Sequence, residues 1–400
     1  MEHEQRSDIM SILNLGTYPP KQCGIATFSA DLCRNLTAHG NKIQVMAVSD
    51  ENFNYCYPSE VVFNIRQNQK NDYIKAARFI NNSPHIKLLI IQHEYGIYGG
   101  QDGALVLELI NLLHKPYVVV THTVLPRPSR SQKKVLFELC HRAAAVVCMT
   151  RRSAHLLGDL YEAPSELIHV IAHGVPEFPY RPQQELKQKY GLQNRQVIST
   201  FGLIGPGKGL ELGIKAMKEV VDTYPDTLYL ILGQTHPMLQ RCEGESYRQM
   251  LEGLVAELNL TDHVGFVNKF LNDNELGDYL YLTDIYLSPY PNKDQAVSGT
   301  LSFAVGCGRA IVSTPYAYAS EVLNQGRGLL TSTTESEEIA VKIKSILADA
   351  ELKTSLQSQA LNLGREWSWP NIGQQYSNLF ARLLDKKLTR EESNLHYARL

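Results

Sequence analysis

One lysine stands among glycines in the segment Phe201–Gly209, FGLIGPGKG, which follows a short apolar run. Glycine-rich turns between a strand and a helix suit diphosphates, because their backbone N–H groups can approach the anion while an ammonium neutralises it. The segment does not satisfy GxxxxGK[ST], so it is not a Walker A loop. We predict that Gly202, Gly207 and Lys208 bind a diphosphate, the alternative being a solvated lysine in a flexible turn.

Two further turns have the same character. Gly24 and Ile25 open a segment with helical spacing, and Ser298, Gly299 and Thr300 lead into an apolar helix. A helix N-terminus offers free N–H groups and the positive end of the helix dipole to an anion, and Ser298 is a good N-cap. Both turns are candidate phosphate sites, although the first can equally be a tight turn without a ligand.

Three histidines follow predicted strands. His93 and Glu94 come directly after one apolar run, His122 after the next, and His173 after the last run of the N-terminal half. Because ligands bind at the carboxyl ends of parallel strands, we expect these side chains at one sheet edge. Glu94 and His122 are candidate catalytic residues together with Lys208, and a structural role remains open for each histidine.

Short Val/Ile-rich runs alternate with amphipathic segments along the whole chain. Runs without polar alternation are typical of strands buried on both faces, as in a parallel sheet flanked by helices. The predicted strands are 10–15, 42–48, 61–65, 87–92, 117–121, 144–148 and 167–171, then 197–201, 227–232, 263–267, 284–288, 310–313 and 328–330.

The segment Gly174–Arg195 is rich in Pro, Gln and charge and separates the two series of strands. We therefore predict two doubly wound α/β domains, residues 1–180 and 195–369, whose sheets face a cleft. Apolar residues at helical spacing predict a last helix from Pro370 to Lys387.

Composition excludes several classes of protein. The chain has 39 Lys+Arg, 41 Asp+Glu and 44% hydrophobic residues, which argues against a charge-driven nucleic-acid binder and against disorder. The seven cysteines form no CxxC pair and no zinc-ligand spacing. An acidic N-terminus and the lack of a long apolar run predict a cytoplasmic protein. The basic segment 127–134 is either a solvated helix start or a surface for a phosphate, an anionic acceptor or a membrane.

Several segments together resemble the retaining, nucleotide-sugar-dependent glycosyltransferases of family 4, which have the GT-B fold of two Rossmann-like domains. The resemblance covers nearly the whole chain. The segments that carry it are Gly24-Ile25, Thr121-His122, Ile171–Val175 (IAHGV), Gly202–Gly209, Val264–Val267 and Gly306–Pro315 (GCGRAIVSTP).

The resemblance implies transfer of a hexose from GDP-mannose or a UDP-hexose to an acceptor hydroxyl with retention, without a metal or another cofactor. Lys208 would stabilise the leaving diphosphate, and preorganised positive charge there lowers the barrier. The acceptor would be a carbohydrate, a lipid-linked molecule or a small molecule, and residues 370–400 would return to the first domain. The other implied contacts are Gly24 and Ile25 with phosphates, His122 and Gln295 with sugar, Phe266 and Val267 with the base, and Ser298, Gly299 and Thr300 with phosphate. His93 and His173 are candidate substrate contacts from their positions after strands.

The chain departs from the family pattern in two respects. Leu203 stands where the family has an arginine, and Gln295 and Phe303 stand where it has a pair of glutamates. Two alternatives therefore accompany the transferase: a UDP-sugar epimerase of the same fold, and a non-catalytic subunit that binds nucleotide sugars.

Overall fold

The computed structural model describes residues 11–51 and 54–397, with side chains described to residue 385, and the chain divides into two compact units. The first unit extends to Gly174 and also contains the C-terminal segment from Trp369; the second is Val175–Ser368. Residues 175–180, predicted in the first domain, thus lie in the second unit. Met10 of the first predicted strand and residues 398–400 of the predicted returning segment lie outside the described residues.

The first unit contains a seven-stranded sheet in which every pairing is parallel, in the order β3-β2-β1-β4-β5-β6-β7. Its central strands are almost wholly buried, as their Val/Ile-rich sequences predict. The strands are β1 (Ser11–Gly16), β2 (Lys42–Ser49), β3 (Val61–Arg66), β4 (Ile86–His93), β5 (Tyr117–Thr121), β6 (Ala145–Cys148) and β7 (Ile168–Val170).

Helices connect these strands, and polar side chains cap the N-termini of several helices. Ser129 and Gln132 form a capping box at the start of the fourth helix, and Thr150 caps the fifth through the backbone N–H of Ser153. The helices are α1 (Gly24–Ala38), α2 (Lys70–Asn82), α3 (Val106–Ile110), α4 (Arg130–Arg142) and α5 (Arg151–Asp159).

The second unit repeats the architecture with six parallel strands in the order β10-β9-β8-β11-β12-β13. Apolar residues from both faces of this sheet form two core clusters beneath its helices. The strands are β8 (Gln196–Phe201), β9 (Thr227–Leu232), β10 (Val264–Val267), β11 (Ile285–Ser288), β12 (Ala310–Ser313) and β13 (Leu329–Leu330).

The helices of the second unit surround that sheet. They are α6 (Gln183–Lys189), α7 (Leu210–Val221), α8 (Pro237–Glu243), α9 (Ser246–Glu257), α10 (Asp273–Leu282), α11 (Gly299–Gly306), α12 (Ala317–Val322), α13 (Ser336–Ala348) and α14 (Ala350–Glu366).

The last helix, α15 (Trp369–Tyr397), packs against α1 within the first unit. Gly373 permits a close approach, since a Cβ there would lie 2.9 Å from Cβ of Asn35. The amide of Asn41 donates to the Ser377 hydroxyl at 2.8 Å, and the buried Trp369 ring contacts Phe28 of α1. Apolar contacts with α1 and a polar contact with the turn that follows it thus both fix this helix.

The predicted α/β class with two parallel sheets is confirmed, and most predicted strand ends lie within one residue of those observed. Within the described part of the chain, no helix is long and apolar enough to cross a membrane.

A buried carboxylate joins three elements of the second unit. Asp284, which precedes β11, accepts from Lys187 Nζ of α6 at 2.5 Å and from Lys353 Nζ of α14 at 2.7 Å. It also accepts from the backbone N–H of Val197 at 2.8 Å. Burial alone would raise the pKa of Asp284, but the two lysines and their hydrogen bonds lower it below the usual value.

We expect Asp284→Asn to lower the free energy of unfolding of the second unit by about 3 kcal/mol at neutral pH, because two lysines lose their buried partner. A carboxylate with a lowered pKa stabilises the fold above its unfolded pKa, and this contribution is lost as the pH falls through the folded pKa. Calorimetry should therefore show that the unfolding free energies of the unchanged protein and of Asp284→Asn become equal in acid.

The matched control is Glu219→Gln, which breaks the more exposed Lys344–Glu219 pair in the same unit. We expect a loss of less than about 1 kcal/mol from it. Equal losses from the two variants would show that the buried network adds no stability.

Candidate functional site

Lys208 ends a 3-10 turn, Pro206–Lys208, that follows β8. Its ammonium donates to the Tyr290 hydroxyl at 2.6 Å and lies 4.6 Å from the centre of the Tyr290 ring. The side chain is half-buried and hydrogen-bonded, which favours the predicted anion site over the alternative of a solvated lysine in a flexible turn. No carboxylate among the described residues forms an ion pair with Lys208.

The Ser298–Thr300 turn lies beside this lysine, because β8 and β11 are neighbours in the sheet. The Tyr290 and Thr300 hydroxyls are 2.7 Å apart, and the Thr300 and Ser298 hydroxyls 3.2 Å. Ser298 is the N-cap of α11 and accepts from the backbone N–H of Leu301. Lys208, Tyr290, Ser298 and Thr300 are hereafter the Lys208 cluster.

Two glycines shape the turn. A Cβ on Gly202 would lie 3.3 Å from Lys208 Nζ and 3.2 Å from Cγ2 of Thr300, and its φ of +132° favours glycine. Gly209 has φ +62°, and a Cβ there would lie 2.1 Å from the carbonyl oxygen of Pro289. Both residues bring backbone close to the Lys208 cluster, whereas a Cβ on the exposed Gly207 would meet nothing within 4 Å.

Two polar side chains near Lys208 were missed by the sequence analysis. Tyr290 follows β11 by two residues, a position that the strand-end rule could have identified. His236 caps α8 by accepting from Met238 N at 3.2 Å, and its own backbone N–H donates to Ile204 O in the turn before Lys208 at 2.8 Å. Burial and the charge of Lys208 lower the pKa of His236.

The other predicted residues of the second unit lie around this cluster without joining it. Gln295 donates its amide to Val297 O at 2.8 Å, and Gly299 is the first residue of α11. Phe266 and Val267 are on β10, two strands from β8, and their side chains pack against different core clusters. The guanidinium of buried Arg248 lies 5.8 Å from the centre of the Phe266 ring.

In the first unit, a polar chain crosses the carboxyl ends of β1, β4 and β5. Gln92 donates its amide to Asn14 Oδ1 at 2.8 Å, and its carbonyl oxygen lies 2.9 Å from Nε2 of His122. Since this oxygen can only accept, Nε2 of His122 carries the proton and Nδ1 has the lone pair. His122 and His173 both contact the Phe28 ring edge-on, at 4.8 and 5.1 Å.

All three predicted imidazoles are buried and neutral. Burial lowers the pKa of His122 to about 3, with repulsion from His173 and His93 adding to the shift. Burial likewise lowers the pKa of His93 and of His173 to about 4. His173 Nδ1 lies 2.8 Å from Gly174 O, whereas neither ring nitrogen of His93 has a hydrogen-bond partner in the described chain.

Glu94 stands beside this group with a raised pKa. Burial raises the pKa of Glu94, although hydrogen bonds from the Thr123 hydroxyl at 2.5 Å and from Tyr95 N at 2.9 Å oppose the shift. A half-buried carboxyl with a raised pKa is suited to exchanging a proton.

The first helix begins beside open space. Gly24 is the first residue of α1 and has open space around its Cα, and Ile25 packs against the core.

The remaining predicted surface is the basic segment. Ser129 caps α4, and Lys133 forms an ion pair with Glu162 at 3.2 Å between exposed side chains. The described residues include no group of three or more His, Cys, Asp or Glu that could hold a metal ion.

Two family patterns match the chain. Residues 182–362 match Glycosyl transferases group 1, and residues 23–177 match Glycosyltransferase Family 4. Both describe glycosyltransferases, and neither is the UDP-sugar epimerase group that the sequence left open.

Curated relatives are distant. The chain is 23% identical over 229 residues to a GDP-mannose-dependent alpha-(1-6)-phosphatidylinositol monomannoside mannosyltransferase of Mycolicibacterium smegmatis, covering 54% of this chain and 57% of that protein. It is 23% identical over 299 residues to a D-inositol 3-phosphate glycosyltransferase of Jonesia denitrificans, covering 70% and 68%. The chain thus spans less than two thirds of the first of these.

Solved structures show the same fold. Anabaena HepE, crystallised with UDP and glucose, aligns with a TM-score of 0.74 at 19% identity over 93% of this chain and 100% of that one. Sucrose-phosphate synthase of Thermosynechococcus elongatus aligns with a TM-score of 0.78 at 17% identity over 94% and 100%. The predicted GT-B class is therefore confirmed.

We expect Gly209→Ala to destabilise the second unit far more than Gly191→Ala. Both glycines have a positive φ, +62° and +69°, but a Cβ on Gly191 meets nothing within 4 Å. Backbone strain alone should cost about 1 kcal/mol at Gly191. The added clash with Pro289 at Gly209 should appear as a clearly lower unfolding temperature, and equal temperatures would contradict it.

Nitrogen NMR should find His122 neutral, with its proton on Nε2, from about pH 8 to about pH 5. An exposed histidine titrates near pH 6.5. Below about pH 6.5, His122, His93 and His173 take up protons in the unfolded chain but remain neutral in the folded one, because burial lowers their pKa values. The first unit should accordingly lose stability as the pH falls from about 6.5 towards 4. Titration of His122 near pH 6.5 would refute the assignment.

Proposed function

Because this chain belongs to the family 4, or group 1, glycosyltransferases of the GT-B fold, we propose that it transfers a hexose from a nucleotide-diphosphate sugar to an acceptor hydroxyl with retention of configuration. The observation that carries the proposal is the Lys208 cluster. An ammonium without a carboxylate partner in the described chain lies beside the N-terminus of α11, at the carboxyl ends of β8 and β11.

The proposed reaction depends on stabilising its leaving group. The difficult event is departure of an anionic diphosphate, so positive charge fixed before the reaction lowers the barrier without reorganisation. Lys208 supplies that charge, and the first N–H groups of α11 supply hydrogen bonds and the positive end of a helix dipole. Gly202 and Gly209 allow the backbone to lie close to the anion.

The donor is proposed to be GDP-mannose or a UDP-hexose. A relative is named for its dependence on GDP-mannose, and a structural neighbour was crystallised with UDP and glucose. The acceptors in the relatives' names are a phosphatidylinositol mannoside and an inositol phosphate, which supports a carbohydrate, lipid-linked or small-molecule acceptor here. No metal or other cofactor is part of the proposed reaction.

In the first unit, His122 and Glu94 are proposed to act on sugar hydroxyls. The neutral His122 offers the Nδ1 lone pair as a hydrogen-bond acceptor, since Nε2 donates to Gln92. The departing diphosphate can itself take the acceptor proton, so the reaction does not require Glu94 as a base. His93, His173, Gly24 and Ile25 remain candidate binding residues, and segment 127–134 a candidate membrane contact.

A nucleotide-sugar-binding protein without transferase activity is the second candidate, because one observation favours it. Phe303, at the position of a family glutamate, packs against Phe201 at 5.8 Å and Phe178 at 6.1 Å between ring centres. With a phenylalanine at this position, α11 lacks the carboxylate that the family pattern has there. Binding of a donor without hydrolysis or transfer would favour this second candidate.

We expect at least one of UDP, GDP, UDP-glucose and GDP-mannose to raise the unfolding temperature, since a ligand that binds only the folded state stabilises it. Lys208→Ala should abolish most of that shift and lower donor hydrolysis or transfer by about 100-fold.

The matched control is Lys215→Ala, which removes an exposed lysine from α7, two turns beyond the glycine-rich segment. It should leave both the shift and the rate unchanged. Full activity in Lys208→Ala, or no response to any of the four nucleotides, would refute the proposed function.

A further inference from the structure

We propose that Tyr290 is a positioning residue that fixes the ammonium of Lys208 for the diphosphate, an inference that rests on the proposed function. The Tyr290 side chain is buried and stacks on Tyr316, with ring centres 5.1 Å apart and planes 18° from parallel. Thr314 adds a hydrogen bond to the backbone oxygen of Tyr290 at 2.6 Å. The phenol is thus held rigidly before any ligand binds.

A phenol can hold an ammonium without cancelling its charge. A carboxylate at 2.6 Å would form an ion pair and compete with the diphosphate for Lys208, whereas a neutral hydroxyl accepts one hydrogen bond and leaves the positive charge available. The Tyr290 ring face adds an attraction for the cation, whose Nζ lies 4.6 Å from the ring centre. The site therefore keeps a cation in place with neutral groups.

The hydrogen bonds around Tyr290 have one consistent direction. An ammonium can only donate, so the Tyr290 oxygen accepts from Lys208 and its own proton points to Thr300, 2.7 Å away. Thr300 can then donate to Ser298, whose oxygen also accepts from Leu301 N. Tyr290 thus links the lysine of the β8 turn to the N-terminus of α11, the two parts of the proposed diphosphate site.

The protonation of Tyr290 should control this arrangement. Burial would raise the pKa of Tyr290, but the charge and hydrogen bond of Lys208 and the hydroxyls of Thr300 and Ser298 bring it below the usual value. Three neighbouring tyrosines have raised pKa values, chiefly from burial and in part from the charge of an ionised Tyr290: Tyr286 of β11, Tyr316 after β12 and Tyr229 of β9. Tyr290 therefore loses its proton first, and the phenolate then neutralises Lys208.

The test compares Tyr290→Phe with Tyr316→Phe. Each variant removes one buried hydroxyl from the same aromatic stack, but the Tyr316 hydroxyl bonds to Ser288 and not to Lys208. We expect Tyr290→Phe to weaken binding of UDP or GDP about tenfold at neutral pH, as for loss of a hydrogen bond to a charged group. Tyr316→Phe should bind as the unchanged protein does.

The pH profile separates positioning from a merely structural role. Between about pH 7 and about pH 10, the affinity of the unchanged protein should fall more steeply than that of Tyr290→Phe, so the tenfold difference shrinks. Equal affinities at neutral pH, or parallel profiles, would overturn the proposal for Tyr290.

Two further variants, Lys208→Ala and Thr300→Val, separate failure of the Tyr290 proposal from failure of the proposed function and from misfolding. If Lys208→Ala binds the nucleotides as well as the unchanged protein, the proposed function itself fails; if only Tyr290→Phe has no effect, the Tyr290 proposal fails alone. Should the unliganded Tyr290→Phe protein be unfolded, Thr300→Val removes the acceptor of the Tyr290 proton instead. It should weaken nucleotide binding several-fold, and an unchanged affinity would overturn the proposal.

Discussion

Parallel pairing at the centre of each sheet is the constraint on which both groups of candidate residues depend. In the second unit β8 pairs with β11, although about 80 residues of sequence, with two further strands, separate them. From β8 the chain continues to β9 on one side, and from β11 it continues to β12 on the other, so the loops after β8 and β11 diverge. Parallel sheets bind ligands at such a point. Lys208 comes from one loop and Tyr290 from the other, so their hydrogen bond is a direct consequence of the strand order.

The first unit obeys the same rule with different chemistry. Its strand order reverses between β1 and β4, and Asn14 and Gln92 join across that reversal. There the polar groups are neutral: three buried imidazoles have lowered pKa values, and the carboxyl of Glu94 has a raised one. Desolvation disfavours charge in all four cases. The second unit instead keeps the Lys208 cation half-buried, because the Tyr290 hydroxyl accepts its hydrogen bond and the Tyr290 ring attracts the charge.

The fold was largely predictable because buried parallel strands have a distinctive sequence. Tyr117–Thr121 and Thr227–Leu232 were predicted to the residue, since short uninterrupted runs of aliphatic, aromatic and Thr residues leave few alternatives. The candidate residues in each loop were predictable by the same route, from their position after a strand. Their partners were not. Tyr290 and His236 are recognised as site residues only because the fold brings them close to Lys208. Both are far from Lys208 in the sequence, so spacing along the chain does not predict these contacts.

The two departures from the family pattern acquire a common physical interpretation once Tyr290 is considered. Phe303 is half-buried in an aromatic group with Phe201 and Phe178, so a carboxylate there would lie against apolar rings. In the proposed site, the absence of that negative charge from α11 would increase the attraction of the helix N-terminus for an anion and so offset in part the cation that Leu203 replaces. A site with fewer charges depends more on how rigidly its remaining cation is placed. In the proposed site, the stacked and hydrogen-bonded phenol of Tyr290 gives the single lysine that rigidity.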